Sequence, residues 1–116
     1  MAASSAEVLE ALYATLVARR GADPSTSYAA SLYAKGTDTI LKKIGEEAAE
    51  TIIAAKDCAS GGAVERVKLV GEVADLWFHV MVLMAAYDVP LASLTDELAR
   101  RSGRSGLDEK ASRSAT

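Results

Sequence analysis

The sequence predicts an all-α protein, an antiparallel helix bundle, and three observations predict it. Apolar residues recur at helical period along most of the chain, as in Val8, Leu9, Leu12 and Leu16. No stretch alternates as a strand would. The breaks are short and carry glycine or proline: Gly21 to Pro24, Lys35-Gly36, Ser60-Gly61-Gly62 and Asp88-Val89-Pro90. The Ser60-Gly61-Gly62 connection is short enough to set its two helices antiparallel.

The first helix is expected over residues 5–20, with Ser4 and Glu7 at capping-box spacing and Arg19-Arg20-Gly21 as its end. Asp23-Pro24 marks a turn, and 25–34 form a short helix carrying Tyr28, Leu32 and Tyr33. Lys35-Gly36-Thr37-Asp38 breaks it and supplies a new cap for a long helix over 38–58. A second long helix follows over 63–87. Pro90 suits the start of the next, 91–102, with Leu91, Leu94 and Leu98 inward. From Gly103 to Thr116 the chain is polar and expected to be irregular, and its Gly and Ser content points to mobility.

At 116 residues the chain fits one domain, 1–116, with a basic tail from about 104. Its core is small, and oligomerisation would add to it. The net charge of −3 gives no general attraction to nucleic acid or an anionic membrane. A single Cys58 excludes an internal disulfide and reads as a small filler near a helix end. The N-terminus lacks a basic leader region, and the run Leu76 to Ala86 is too short to span a bilayer and contains His79. The cytoplasm is the expected location, with no membrane partner.

The chemistry concentrates in the two long helices. The first carries Glu46, Glu47 and Glu50; after a gap of 21 residues the second carries Glu72 and Asp75. With Ile44 as the centre of the apolar arc, Ile40, Ala48, Thr51 and Ala55 fall within about 40°. Glu47 lies about 60° away, Glu50 about 120° and Glu46 roughly 160°. Glu47 and Glu50 therefore border the buried face and Glu46 sits further out. The stretch Val73 to Tyr87 is apolar on nearly every side, which implies burial on most sides. Glu72, Asp75 and His79 share one stripe of that helix, about 60° wide.

An acid-rich helix face is ordinarily solvated and paired with lysines, and Glu46 or Glu50 alone reads that way. Glu72 and Asp75, beside an apolar run with little basic compensation, do not. Buried acids need a partner or take up a proton. A hard cation is the simplest partner for several at once, and an all-oxygen set favours Mg²⁺, with Mn²⁺ as substitute. Lone His79 reads as structural or as support for a ligand rather than as a ligand. Mg²⁺ held by carboxylates commonly completes its shell with water and substrate phosphates, so metal-assisted hydrolysis of a phosphoanhydride is the expected reaction. Lys43, Lys56 and the basic tail are candidates for holding phosphate oxygens. Gly45 and Gly71 each precede an acidic cluster. Close helix packing, room for a ligand or plain tolerance would explain them.

Glu46-Glu47-x-x-Glu50 followed by Glu72-x-x-Asp75 resembles the signature of the MazG-like all-α nucleoside triphosphate pyrophosphatases. Within that superfamily, Ser27-Tyr28, Gly36 to Glu50, Ala54-Ala55-Lys56, Glu72 to Leu76 and the tail through Arg113 resemble the phosphoribosyl-ATP pyrophosphatase family of histidine biosynthesis. The resemblance implies hydrolysis of phosphoribosyl-ATP to phosphoribosyl-AMP and pyrophosphate, with Mg²⁺ held by Glu47, Glu50, Glu72 and Asp75. Glu46 would be a ligand or an outer partner. Glu47 is first choice for taking the water's proton, and Glu46 is the other candidate. Lys35, Arg101, Lys110 and Arg113 join Lys43 and Lys56 as substrate-binding candidates, and Tyr28, Lys35 and the tail are candidates for reading the adenine or phosphoribosyl group. A homodimer that completes the bundle is implied, and the cyclohydrolase of the next step is expected as a separate chain. A housecleaning enzyme of the same fold acting on dUTP, dCTP or aberrant nucleotides is the alternative. A non-catalytic helical interaction module is the second.

Overall fold

The computed structural model describes residues 2–102 and 106–114, and all regular structure among them is helical. Six helices follow in order: α1 Ser5–Ala18, α2 Tyr28–Lys35, α3 Thr37–Cys58, α4 Ala63–Ala86, α5 Leu91–Arg101 and α6 Gly106–Ser114. The first starts as its sequence demands. Ser4 Oγ accepts from the Glu7 amide and the Glu7 carboxylate accepts from the Ser4 amide, a closed capping box.

The long helices α3 and α4 form the most extensive packing pair. They run antiparallel: Cys58 Sγ reaches the Glu65 carbonyl at 3.2 Å and Thr51 Oγ1 reaches the Glu72 carbonyl at 3.3 Å, so numbers rise on one helix as they fall on the other. At their turn the Gly62 amide donates to Glu65 Oε2 at 2.8 Å and closes the start of α4. At the far end α4 closes on a Schellman motif. Asp88 adopts φ 56°, the Val89 amide reaches the Met84 carbonyl and the Asp88 amide reaches that of Ala85. Arg20 straps this end to α1, donating to the Ala85 carbonyl at 2.9 Å and pairing with Asp88 at 2.5 Å. The core gathers here: Leu16, Ala29, Leu32, Ile40, Met81, Val82 and Ala85 are buried together.

Several expectations are corrected. The short second helix starts at Tyr28, not at residue 25, because Asp23 folds the Ser25 amide and hydroxyl into a turn and Ser27 is the cap. Lys35 to Asp38 supply no side-chain cap; Gly36 is the N-cap at φ 99°, and Asp38 sits in the first turn. Leu94 and Leu98 of α5 are exposed rather than inward, since no element among the described residues covers that face. The tail is not irregular over 106–114, which form α6; residues 103–105, Arg104 among them, and 115–116 lie outside the described residues.

The second long helix is not buried on most sides. His79, Met81, Val82 and Ala85 are buried in its second half, while Val64, Val67, Val70 and Trp77 are exposed. Taken whole, α4 is long and apolar enough, by length and composition, to cross a membrane, although the run from Leu76 alone is not. Of its charged residues, Glu65, Arg66 and Lys68 lie near its start and Glu72 and Asp75 lie mid-helix.

Candidate metal centre

The site forms where α3 and α4 face each other halfway along the pair. Three carboxylates, Glu47, Glu50 and Glu72, each bring an oxygen to within 4.8 Å of the other two. Their exposure is graded: Glu47 is buried at 7%, Glu72 is half-buried and Glu50 is exposed. The site therefore opens to solvent on the Glu50 side.

Glu47 does not border the buried face of α3; it occupies its centre. Ile40, Glu47 and Ala54, spaced by seven, are the buried residues of that helix, and Ala55, expected inside, is exposed. The true centre lies about 60° from Ile44. The sequence misplaces it because α3 is apolar on two faces: one meets α4, and the other, with Leu41 and Ile52, is exposed. Periodicity averages the two.

Electrostatics single out the pair that spans the helices. Burial first, then the adjoining Glu50 carboxyl, pushes the Glu47 acid above the ordinary carboxylate range. Glu72 is raised for the same two reasons in the same order. Asp75 adds to the repulsion on both, although it is exposed and stands outside the group of three. Lys43 opposes it at Glu47, lying 3.7 Å from Glu47 Oε1 and 3.3 Å from Glu46 Oε2. Glu46 is thus engaged with Lys43 on the outer flank.

Two oxygens remain unanswered. Glu47 Oε2 and Glu72 Oε2 are buried and have no hydrogen-bond partner. Orphaned, repelling carboxylate oxygens across a helix pair suit a hard divalent cation, because oxygen donors with net negative charge are what such a cation takes. The residues present fit the group. Thr51 fixes the backbone around it, donating to the Glu47 carbonyl at 2.8 Å and reaching that of Glu72 at 3.3 Å.

Residues 9–102 match the family described as phosphoribosyl-ATP pyrophosphohydrolase. The chain belongs to the phosphoribosyl-ATP pyrophosphohydrolase family. It is 50% identical over 113 residues to the phosphoribosyl-ATP pyrophosphatase of Burkholderia cenocepacia strain HI2424, covering 97% of this chain and 92% of that one. The same figures hold for the phosphoribosyl-ATP pyrophosphatases of Burkholderia ambifaria strain MC40-6 and Burkholderia vietnamiensis strain G4. The helical fold expected of this family is the fold observed.

The other expected substrate residues do not converge on one point. Lys35 ends α2 and is exposed. Lys56 lies at the α3–α4 turn in a surface groove with Asp57, Ser60 and Lys68, away from the carboxylates. Arg101 bonds Glu97 within its own helix at 3.1 Å, and Lys110 and Arg113 are exposed on α6. Gly45 and Gly71 are not explained by close packing within the chain, since a Cβ at either would meet nothing within 4 Å. His79, read in the sequence as structural or as support for a ligand, is buried and ties Tyr28 of α2 to the backbone of Asp75, a link the sequence did not show. Only the i,i+4 spacing of Asp75 and His79 hinted at it.

Proposed function

We propose that residues 1–116 form one hydrolase domain that converts phosphoribosyl-ATP to phosphoribosyl-AMP and pyrophosphate, the second step of histidine biosynthesis. Membership of the family supports the substrate. The orphaned oxygens of Glu47 and Glu72 carry the chemistry.

In this reading Glu47, Glu50 and Glu72 hold Mg²⁺, with Asp75 beside them and Mn²⁺ as substitute. When bound, the ion withdraws charge from the phosphate oxygens and the leaving pyrophosphate. Glu47, held at the centre of the buried face, takes a proton from the attacking water. Glu46 assists from the flank by keeping Lys43 in place, and Lys43 approaches a phosphate oxygen. One water is consumed, the α–β bridging bond breaks and pyrophosphate leaves. Lys35, Lys56, Arg101, Lys110 and Arg113 are reserve contacts for the phosphates and the phosphoribosyl group.

The enzyme works in the cytoplasm as a homodimer. Leu41 and Ile52 of α3 and Val67, Val70 and Trp77 of α4 are large apolar side chains left exposed by the chain itself. Gly45 lies about 40° from Leu41 around α3, and Gly71 about 40° from Val67 around α4, so both glycines belong to these faces. There they leave room for a second copy's helices.

Pyrophosphate release from phosphoribosyl-ATP, with and without Mg²⁺ and beside dUTP, dCTP and ATP, tests the reading. Metal-dependent turnover of phosphoribosyl-ATP, lost in Glu47→Gln, is expected. Preference for dUTP or dCTP would move the function to nucleotide housecleaning. Sedimentation at micromolar concentration tests the dimer, and a monomer with intact activity would remove it.

A further inference from the structure

His79 is 5% exposed and carries two hydrogen bonds. Its Nδ1 lies 2.7 Å from the Asp75 main-chain oxygen, and its Nε2 lies 2.8 Å from the Tyr28 hydroxyl. A carbonyl oxygen only accepts, so Nδ1 bears the proton. In the neutral ring Nε2 is then an acceptor, and Tyr28 donates to it. The hydroxyl proton of Tyr28 therefore points inward, and its remaining lone pairs face outward.

That outward side is reachable. Tyr28 is 51% exposed, with its ring stacked on Phe78 at 6.0 Å and 22° and edge-on to His79 at 5.7 Å. It also stands near the carboxylates. His79 follows Asp75 by one turn, about 6 Å along α4. Tyr28 lies near Lys43, and Lys43 pairs with Glu46 and Glu47. An oxygen that presents only lone pairs repels a phosphate and attracts an O–H or N–H donor. Donors of that kind belong to the sugar or base of a nucleotide. The phosphate at the broken bond is esterified to the ribose, so the nucleoside begins within about one helical turn of the carboxylates.

We propose that Tyr28 is a specificity-determining residue that accepts a hydrogen bond from a hydroxyl or amino group of the nucleoside part of the substrate, with His79 as the positioning residue that turns its hydroxyl into an acceptor. The inference rests on the hydrolytic reading above. It assigns Tyr28 to the part of the ligand that stays on phosphoribosyl-AMP, not to the pyrophosphate that leaves.

Calorimetric titration of phosphoribosyl-AMP, AMP and inorganic pyrophosphate, with Mg²⁺ present, tests it on the wild type and on Tyr28→Phe. That variant keeps the ring and its stack. Binding of phosphoribosyl-AMP is expected to weaken about tenfold, the worth of one hydrogen bond, with pyrophosphate unchanged. For phosphoribosyl-ATP the KM rises by a similar factor and kcat stays within about twofold. A matching loss for AMP places the donor on the adenylate half; a loss for phosphoribosyl-AMP alone places it on the second ribose. Unchanged phosphoribosyl-AMP binding, or an equal loss for pyrophosphate, overturns the proposal. His79→Gln is expected to weaken phosphoribosyl-AMP in the wild type but add less than about twofold in Tyr28→Phe. Full additivity overturns the positioning role. A wild type that binds these ligands but turns over no phosphoribosyl-ATP overturns the hydrolytic reading instead, a result distinct from Tyr28→Phe behaving as wild type.

Discussion

Glu47 with Glu72, and Glu97, are glutamates on helices of one chain driven in opposite directions. Glu47 and Glu72 face each other across α3 and α4, partly or wholly buried, with other carboxyls as neighbours, and both acids are raised. Glu97 stands on α5 against Arg100 at 2.6 Å and Arg101 at 3.1 Å, which hold its carboxyl down to about 2. In one set carboxyls outweigh the lysine, Lys43, beside Glu47, and the other has two arginines. Acid-rich sequence is common to both, so it does not separate a site from an ordinary salt-bridged surface. The surroundings do.

Removing the acid at the centre of the site should give the largest effect. Glu47→Gln is expected to lower kcat/KM by about a thousandfold or more, the scale of losing a base and a ligand together. Because it also removes a repelling buried charge, the metal-free protein should melt no lower than wild type near pH 7. A variant that keeps activity, or one that melts much lower, breaks the contrast.

Metal dependence comes next. The acids of Glu47 and Glu72 are raised above their ordinary 4.5, so both favour the folded state while protonated. Their contribution is complete below about 4.5 and is lost as pH rises through the raised values. Melts of the metal-free protein from pH 4.5 to 8 should therefore fall more steeply than those of a Glu47→Gln, Glu72→Gln variant. Mg²⁺ near one hundred times its Kd should restore about 2.7 kcal/mol at the upper end and far less at the lower, where protons compete. An equal Mg²⁺ effect at both ends would show that these carboxylates are not its ligands.

The smallest effect belongs to Glu97. Its lowered acid contributes stability above the ordinary 4.5, and that contribution is lost as pH falls towards about 2. Because the pair is solvent-exposed, Glu97→Gln should leave activity and the neutral-pH melt at wild-type values and only flatten the acid limb. A large loss of activity would show that Arg101 depends on its pair with Glu97 for a role at the substrate.

Much of the site was legible beforehand. Acids at 46, 47 and 50 answered by 72 and 75 mark one stripe on each long helix, and three of the five, Glu47, Glu50 and Glu72, do come together. Asp75 adds its field from outside that group, and Glu46 is turned to Lys43. Angles on one helix cannot foresee this, because closeness across a pair depends on how the two helices are rotated against each other.

The chain alone determined the helices and most of their ends, because capping, period and breaking are local. Ser4 with Glu7, and the run from Val8 to Leu16, already spell the first helix. Tertiary structure decided which apolar face is covered. Val82 and Val70 are both valines on α4, yet Val82 is fully buried beside α1 and Val70 is 69% exposed. It also decided that Glu47 sits at the centre of a buried face and that His79 aims the Tyr28 hydroxyl. Burial and long-range hydrogen bonds join residues 51 apart in sequence, here Tyr28 and His79, and no local pattern encodes such a meeting.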